Sequence, residues 1–262
     1  MSGDKIEPLS IRQEGETCCP IVELRQYTLK PGRREDLIAL FEEHFIEGQE
    51  QYNMRIIGQF CHRTNADQFV WLRGFADMEA RRKALEGFYY GPIWQEHRMA
   101  ANDTMIDSDN VLLLKPAHTT DSFRLNLAGR PKLDAPEGAG GIITVTVYTF
   151  AAPVDAQFIH FFEKDVAPIL RESGATILGQ FVTEPGENTF PALPIREGEH
   201  IFAWLASFSD DTAYTAYCST LAKHQVWSTA LASMLRARLS RPEEVLALVP
   251  TRRSLLRHRS RA

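Results

Sequence analysis

The sequence predicts an α+β protein built from two tandem ferredoxin-like βαββαβ repeats, packed against each other within a single chain. Three observations predict it. Residues Ile21–Phe60 overlie Ile142–Phe181 at a constant offset of 121 without a gap, and ten of the forty positions are identical, among them Tyr27/Tyr148, Phe41/Phe162 and Gly58-Gln59-Phe60 over Gly179-Gln180-Phe181. Further pairs follow in the same order at offsets of 133 and 134: Trp71/Trp204, Asp77/Asp210, Trp94/Trp227 and Val111-Leu112/Val245-Leu246. Each copy also shows the periodicities of strand, helix, strand, strand, helix and strand in turn. Two copies of about 100 residues are too few for a solenoid and the right size for two small domains.

In the first copy Ile21–Leu29 reads as a strand stopped by Lys30-Pro31-Gly32. Leu37, Leu40, Phe41, His44 and Phe45 then share one helical stripe. Arg55–Arg63 and Gln68–Phe75 form a hairpin across Thr64-Asn65-Ala66-Asp67, and Asp77 is placed to cap a second helix. That helix is interrupted at Gly91-Pro92 and resumes over Ile93–Ala101; Val111–Leu114 is the last strand. The second copy repeats the order over Ile142–Phe150, Ala156–Glu172, Thr176–Thr183, His200–Phe208, Asp211–Arg238 and Val245–Val249. Its hairpin is twelve residues longer, the difference between the two offsets, and the excess is a Pro-containing extended loop from Glu184 to Glu199. The chain therefore divides into an N-terminal segment (1–19), a first domain (20–116), a Pro/Gly-rich linker (117–141), a second domain (142–250) and a basic tail (251–262).

Composition excludes several classes. With 44% hydrophobic and 24% charged residues the chain is an ordinary globular protein, and a formal charge of −5 argues against nucleic acid as a partner. No stretch approaches a membrane span, so no integral membrane association is expected, and residues 1–19 lack the apolar core of a secretory signal. Cys18, Cys19, Cys61 and Cys218 have no metal-ligand spacing, and adjacent cysteines seldom bridge each other, so no metal and a reducing, cytoplasmic location are expected. The tail, with Arg252, Arg253, Arg257, Arg259 and Arg261, reads as a solvated, frayed terminus.

Comparing the copies phases the first strand. Val22, Leu24 and Gln26 align with Ile143, Val145 and Val147, the more apolar set, which is expected under the helices. Glu23, Arg25 and Tyr27, aligned with Thr144, Thr146 and Tyr148, are then expected between the two sheets, lining a wetted cavity.

The run Val22-Glu23-Leu24-Arg25-Gln26-Tyr27 with Lys30-Pro31-Gly32 resembles the NIPSNAP family, as do Ile57-Gly58-Gln59-Phe60, Trp71 to Asp77, Arg81-Arg82 and Trp94. The first copy carries the resemblance over about 95 residues, while the second keeps the aromatic and glycine positions and loses most charges. The resemblance implies the dimeric α/β-barrel fold with a pocket between sheet and helices, and kinship with cofactor-free monooxygenases and haem-degrading oxygenases. It implies no particular reaction.

The duplication supplies an internal control: what both copies keep serves the fold, and a polar residue kept by one copy is a candidate for function. Subtraction leaves Glu23 (Thr144), Arg25 (Thr146), Arg73 (Ala206), Arg81 (Tyr214), Arg82 (Thr215) and His97 (Ala230). Glu23 and His97 are the candidate catalytic groups, exchanging protons. Arg25, Tyr27, His44, Trp71, Arg73 and Trp94 are the candidate substrate-binding residues, suited to an anionic or aromatic organic molecule. Pairing of Glu23 with Arg25 or Arg73 for purely structural ends competes with that reading. No cofactor is expected; haem on His97 is the alternative. The function read here is a binder or transformer of a small organic molecule, as a cofactor-free oxygenase or isomerase, and further homo-oligomerisation is compatible with it. The alternative is a non-catalytic interaction module whose contact surface is the loop 184–199 or the basic tail.

Overall fold

The computed structural model describes residues 16–136 and 140–258. Residues 1–15 of the N-terminal segment, Gly138 of the linker, and Arg259 and Arg261 of the tail lie outside them. The chain runs β1 (Glu16–Cys18), β2 (Ile21–Leu29), α1 (Arg34–Leu40), a π-helical turn (Phe41–Phe45), α2 (Ile46–Glu50), β3 (Arg55–His62), β4 (Gln68–Phe75), α3 (Met78–Tyr89), α4 (Pro92–Thr104) and β5 (Met105–Pro116). After β6 (Phe123–Leu125), the order recurs as β7 (Ile142–Phe150), α5 (Ala156–Phe161), a π-helical turn (Phe162–Val166), α6 (Ala167–Glu172), β8 (Thr176–Thr183), β9 (His200–Phe208), α7 (Asp211–Lys223), a π-helical turn (Trp227–Leu231), α8 (Ala232–Arg236) and β10 (Glu244–Pro250).

Eight strands close into one antiparallel barrel in the order β10-β3-β4-β2-β5-β8-β9-β7. Each half contributes four adjacent strands, and the halves join where β5 pairs with β8 and β10 pairs with β3. Closure abolishes the sheet edges that either half would expose alone.

What both copies keep has a visible structural use. A β-bulge falls between Ile56 and Gly58 and again between Ile177 and Gly179. A Cβ on Gly58 would stand 2.4 Å from the ring of Phe60, and one on Gly179 would stand 2.9 Å from Phe181, so the repeated Gly-Gln-Phe is a bulge with a phenylalanine folded over it. Asp77 and Asp210 accept from the backbone N–H groups of Ala80 and Ala213 and cap α3 and α7. The helix expected over Asp211–Arg238 breaks after Lys223, where His224 adopts an extended backbone.

The face assignment is the reverse of the one expected. Val22, Leu24, Ile143, Val145 and Val147 pack with Val70, Leu72, Ala203 and Leu205 inside the barrel, in one cluster drawn from both halves. Tyr27 and Trp71 lie outside it, in a cluster with Leu37, Phe41, Phe45 and Phe88 of the first half's helices. A closed barrel admits no water between its sheets, so it takes the more apolar set, and the helical layer takes the amphipathic one.

The connecting segments are also more ordered than expected. β6 in the linker pairs with β1, and Phe123 and Leu125 join the barrel core. The tail residues Ser254, Leu255 and Leu256 are buried, and Arg253 bonds the Glu42 carbonyl at 2.5 Å and pairs with Glu47, so the described tail is a strap and not a frayed end. Cys18 and Cys19 are both buried with their sulfurs against each other, and Cys19 has a positive φ of 75° that turns the chain sharply there. No helix among the described residues is long and apolar enough to cross a membrane.

Candidate functional site

Both halves present the same strand positions to their helices, and they use them differently. In the first half β2 aligns with β4 so that Glu23 lies opposite Arg73 and Arg25 opposite Trp71. Alternation puts these and Tyr27 on the helix side. Glu23 is fully buried and receives three guanidiniums: Arg25 Nη1 at 2.8 Å, Arg73 Nε at 2.7 Å and Arg81 Nε, from α3, at 2.7 Å. Arg25 Nε also donates to the Tyr27 hydroxyl at 3.0 Å, and Arg73 Nη1 reaches Gln49 Oε1 at 3.0 Å and Tyr89 at 3.4 Å. Burial alone would push the Glu23 carboxyl up, but the three cations outweigh it and hold it well below the usual carboxylate range. Burial pushes the Tyr27 phenol up.

The expected site residues therefore separate into two groups. Glu23, Arg25, Tyr27, Trp71 and Arg73 come together, with Trp94 beside them against Tyr89 at 4.9 Å between ring centroids. His97 and His44 sit elsewhere, stacked face to face at 3.8 Å, and neither is among the walls of the adjoining cavity. A general base needs a free lone pair and a pKa near the working pH; Glu23 has its oxygens occupied and is locked as an anion. That cavity, walled by Tyr27, Gln49, Trp71, Tyr89 and Trp94, holds about 30 Å³. That volume is well below the roughly 300 Å³ at which small-molecule pockets begin, and the ring of His97, the residue considered for haem, is stacked on His44.

Two participants were not expected. Arg81 emerges from the same subtraction that finds Glu23, but its place on α3 gave no hint that it reaches the strand. The loop 184–199 of the second half folds over the first. Asn188 Oδ1 and Thr189 Oγ1 each accept from Arg81 Nη1 at 3.0 Å, and Phe190 stacks on Tyr89 at 5.9 Å. Its length was the available signal; its direction was not legible. Arg82 faces outward, paired with Glu79 and Glu86.

In the second half the matching positions are Thr144, Thr146 and Tyr148 on β7, with Trp204 and Ala206 opposite on β9. Three threonine- or alanine-sized residues stand where the first half has Glu23, Arg25 and Arg73, and the lost volume remains open. A cleft of about 330 Å³ lies between Trp204, Tyr217, Trp227 and the two threonines, with Arg236 and Glu243 on its wall. Its lining is aromatic and largely neutral. Burial pushes the phenols of Tyr148 and Tyr217 above the usual range, and Tyr214 up to about 12, so all three stay protonated near neutrality. The Thr144 hydroxyl is buried with no hydrogen-bond partner among the described residues.

Two other features lie apart from these two pockets. A hollow of about 530 Å³ under the loop 184–199 is walled by charges that already pair, Arg196 with Glu199 at 2.6 Å and Lys115 with Glu184 at 3.8 Å. His118, Asp121 and Glu163 bring ligand-type atoms within 4.8 Å of one another, a grouping across the two halves that linear spacing could not show. His118 and Glu163 are engaged with each other at 3.1 Å.

The comparisons with known proteins bear on the fold and on the first half. None of the curated proteins matches the chain significantly. An anthrone oxidase-like protein of known structure superposes with a TM-score of 0.53 at 12% identity, covering 88% of this chain and 91% of its own. A candidate monooxygenase from Lactobacillus acidophilus NCFM does so with a TM-score of 0.50 at 13% identity, covering 89% and 97%. An uncharacterized NIPSNAP domain protein from Burkholderia xenovorans is 19% identical over 37% of this chain and 94% of its own, with a TM-score of 0.34. The first two show the same dimeric α/β-barrel architecture and nothing about chemistry. The NIPSNAP family model matches residues 22–120, β2 through the end of β5 and the turn after it, and those residues are a NIPSNAP domain.

Proposed function

We propose that the protein binds a small, ring-bearing organic molecule in the second half's cleft between sheet and helices, and that the first half is its rigid, charge-locked counterpart. The second half itself is read as a diverged second copy of the NIPSNAP domain. One observation carries the binding proposal. At matched positions of the same fold one half leaves about 330 Å³ and the other about 30 Å³. The larger volume lies within the range of ligand pockets, and its tryptophans and tyrosines offer flat apolar walls. The unpartnered Thr144 hydroxyl supplies a hydrogen bond to an oxygen or nitrogen of the ligand. A neutral ligand suits this lining better than an anion. In the catalytic version, a cofactor-free oxygenase or isomerase, the carboxylate on the cleft wall is Glu243, which lies 3.6 Å from Arg236, and Glu23 and His97 have no part.

The interaction-module reading is the weaker one, because Asn188, Thr189 and Phe190 of the loop 184–199 and Arg253 of the described tail are engaged with the first half. A thermal-shift screen with neutral aromatics, quinones and aromatic acids tests the proposal. Hits are expected among the neutral ring compounds, and Ala222→Trp, at an exposed position on the cleft wall, is expected to abolish their shifts. Hits indifferent to that substitution would refute it.

A further inference from the structure

The second half's cleft has a nucleophile on its wall. Helix α7 turns Tyr214, Tyr217, Cys218, Leu221 and Ala222 towards it, the spacing of one helical face. Cys218 is exposed and carries a free thiol. At the equivalent position, offset by 133, the first half has Leu85, fully buried beneath its own helices, so the thiol belongs to one copy alone. Cys61, also free, stands on β3 and is not among the cleft's walls.

The strand side of the same cleft supplies an independent sign of a ligand. Thr144 on β7 lines it, is 3% exposed, and its hydroxyl has no partner among the described residues. A buried hydroxyl left unpaired is costly, and a ligand's carbonyl oxygen would satisfy it. Trp204 and Trp227 add flat apolar walls, and the phenols of Tyr148 and Tyr217 stay protonated near neutrality. One enclosure of about 330 Å³ thus offers a ring surface, a donor for a carbonyl and a sulfur nucleophile. A molecule that uses all three is a ring ketone conjugated with an electron-poor double bond.

We propose that the cleft captures conjugated ring ketones, quinones or cyclic enones, covalently through Cys218. This rests on the reading of the cleft as a ring-binding pocket and adds the class of ligand and its fate. The ligand's carbonyl oxygen accepts from the Thr144 hydroxyl, and the ring carbon β to that carbonyl faces the Cys218 sulfur. The thiolate attacks that carbon: a C–S bond forms, the π pair of the double bond moves to the carbonyl oxygen, and the proton lost by the thiol ends on the product. The Thr144 hydrogen bond strengthens as negative charge develops on the oxygen. With a quinone, the proton on the attacked carbon then moves to the second carbonyl oxygen, giving a hydroquinone thioether. The adduct has the summed mass of protein and ligand, and no oxidant or other reactant is consumed.

The test treats the whole chain with naphthoquinone and follows adducts at Cys218 and Cys61 by peptide mass spectrometry, with iodoacetamide as the measure of each thiol's reactivity without recognition. The rate at Cys218 is expected to saturate with quinone concentration. Tetralone, which keeps the ring and carbonyl but lacks the electron-poor double bond, should protect Cys218 from the quinone. Ala222→Trp should slow quinone addition at Cys218 at least about tenfold relative to iodoacetamide, because the bound orientation is lost. Should that variant not fold, saturation and tetralone protection in the unaltered chain decide. No adduct at Cys218, or a rate that rises linearly with quinone and ignores tetralone, would overturn the proposal. The pocket itself is judged separately by the melting shift that tetralone gives in Cys218→Ser. A shift equal to the wild type's keeps the ring-binding reading even where covalent capture fails.

Discussion

The two halves of this barrel share topology, bulges, caps and aromatic anchors, and differ in what stands on three strand positions beneath the helices. The first half places Glu23, Arg25 and Arg73 there and becomes nearly solid; the second places Thr144, Thr146 and Ala206 there and keeps a cleft. The difference teaches that ionisable residues kept by one copy need not mark the working pocket. Long charged side chains fill space as well as carry charge. A carboxylate held by three arginines is a rigid joint.

The sharpest way to break this comparison is to remove Glu23 alone. Glu23→Ala leaves three buried guanidiniums without their counter-ion and is expected to cost about 3–5 kcal/mol in urea unfolding. Importing the other half's residues together, Glu23→Thr, Arg25→Thr, Arg73→Ala and Arg81→Tyr, removes the carboxylate and all three cations at once, leaves no charge of the cluster unpaired, and is expected to cost less than the single change. It should also open a second cleft, seen as a second equivalent of bound ligand. A quadruple variant less stable than Glu23→Ala would show that the charges are not a self-contained unit.

Next in size is the cover. Phe190→Ala deletes the ring that the loop lays on Tyr89 and should cost about 3 kcal/mol. It should expose the segment 184–199 to proteolysis, and unchanged cleavage would mean that Arg81 alone holds the loop. Smaller still is Ala222→Trp, expected to abolish ligand shifts while changing stability by less than about 1 kcal/mol.

The pH dependence distinguishes the halves at the lowest amplitude. The Glu23 carboxyl is depressed in the folded state, so its stabilisation is complete above the unfolded value of roughly 4.3 and is lost as pH falls below it. Tyr214 is raised to about 12, so its stabilisation is complete below the unfolded value of about 10 and is lost as pH rises towards 12; Tyr148 and Tyr217, raised by burial, act in the same direction. The wild type should therefore weaken in acid more steeply than the quadruple variant, while their losses in alkali differ only by the raised Tyr27 and the introduced tyrosine. Parallel acid limbs in chemical denaturation would contradict this.

Local signals in the sequence carried most of the fold. Asp77 and Asp210 are caps, and the spacing of apolar residues places seven of the eight barrel strands within a residue or two; β5, expected over Val111–Leu114, runs Met105–Pro116 because its first half is polar and exposed. The phase of β2 departs from the expected one because the interior of a closed barrel is drier than the layer beneath the helices and takes the more apolar face. Val22/Ile143 and Leu24/Val145 are apolar in both copies, and that agreement was the sign of the shared core. What no local pattern could carry was contact across great sequence distance: Arg253 on Glu47, and Asn188 and Thr189 on Arg81, separated by 206, 107 and 108 positions. Such pairs tie the described tail and the loop 184–199 to the first half.

The most direct test is a crystal structure of the full chain with a screening hit bound. The ligand is expected between β7, β9 and α7, its ring against Trp204 and Tyr217, with the Glu23 cluster unchanged. A ligand lodged instead against Trp71 and Tyr89, with the loop 184–199 displaced and the three arginines rearranged around it, would contradict the assignment of the open pocket to the second half.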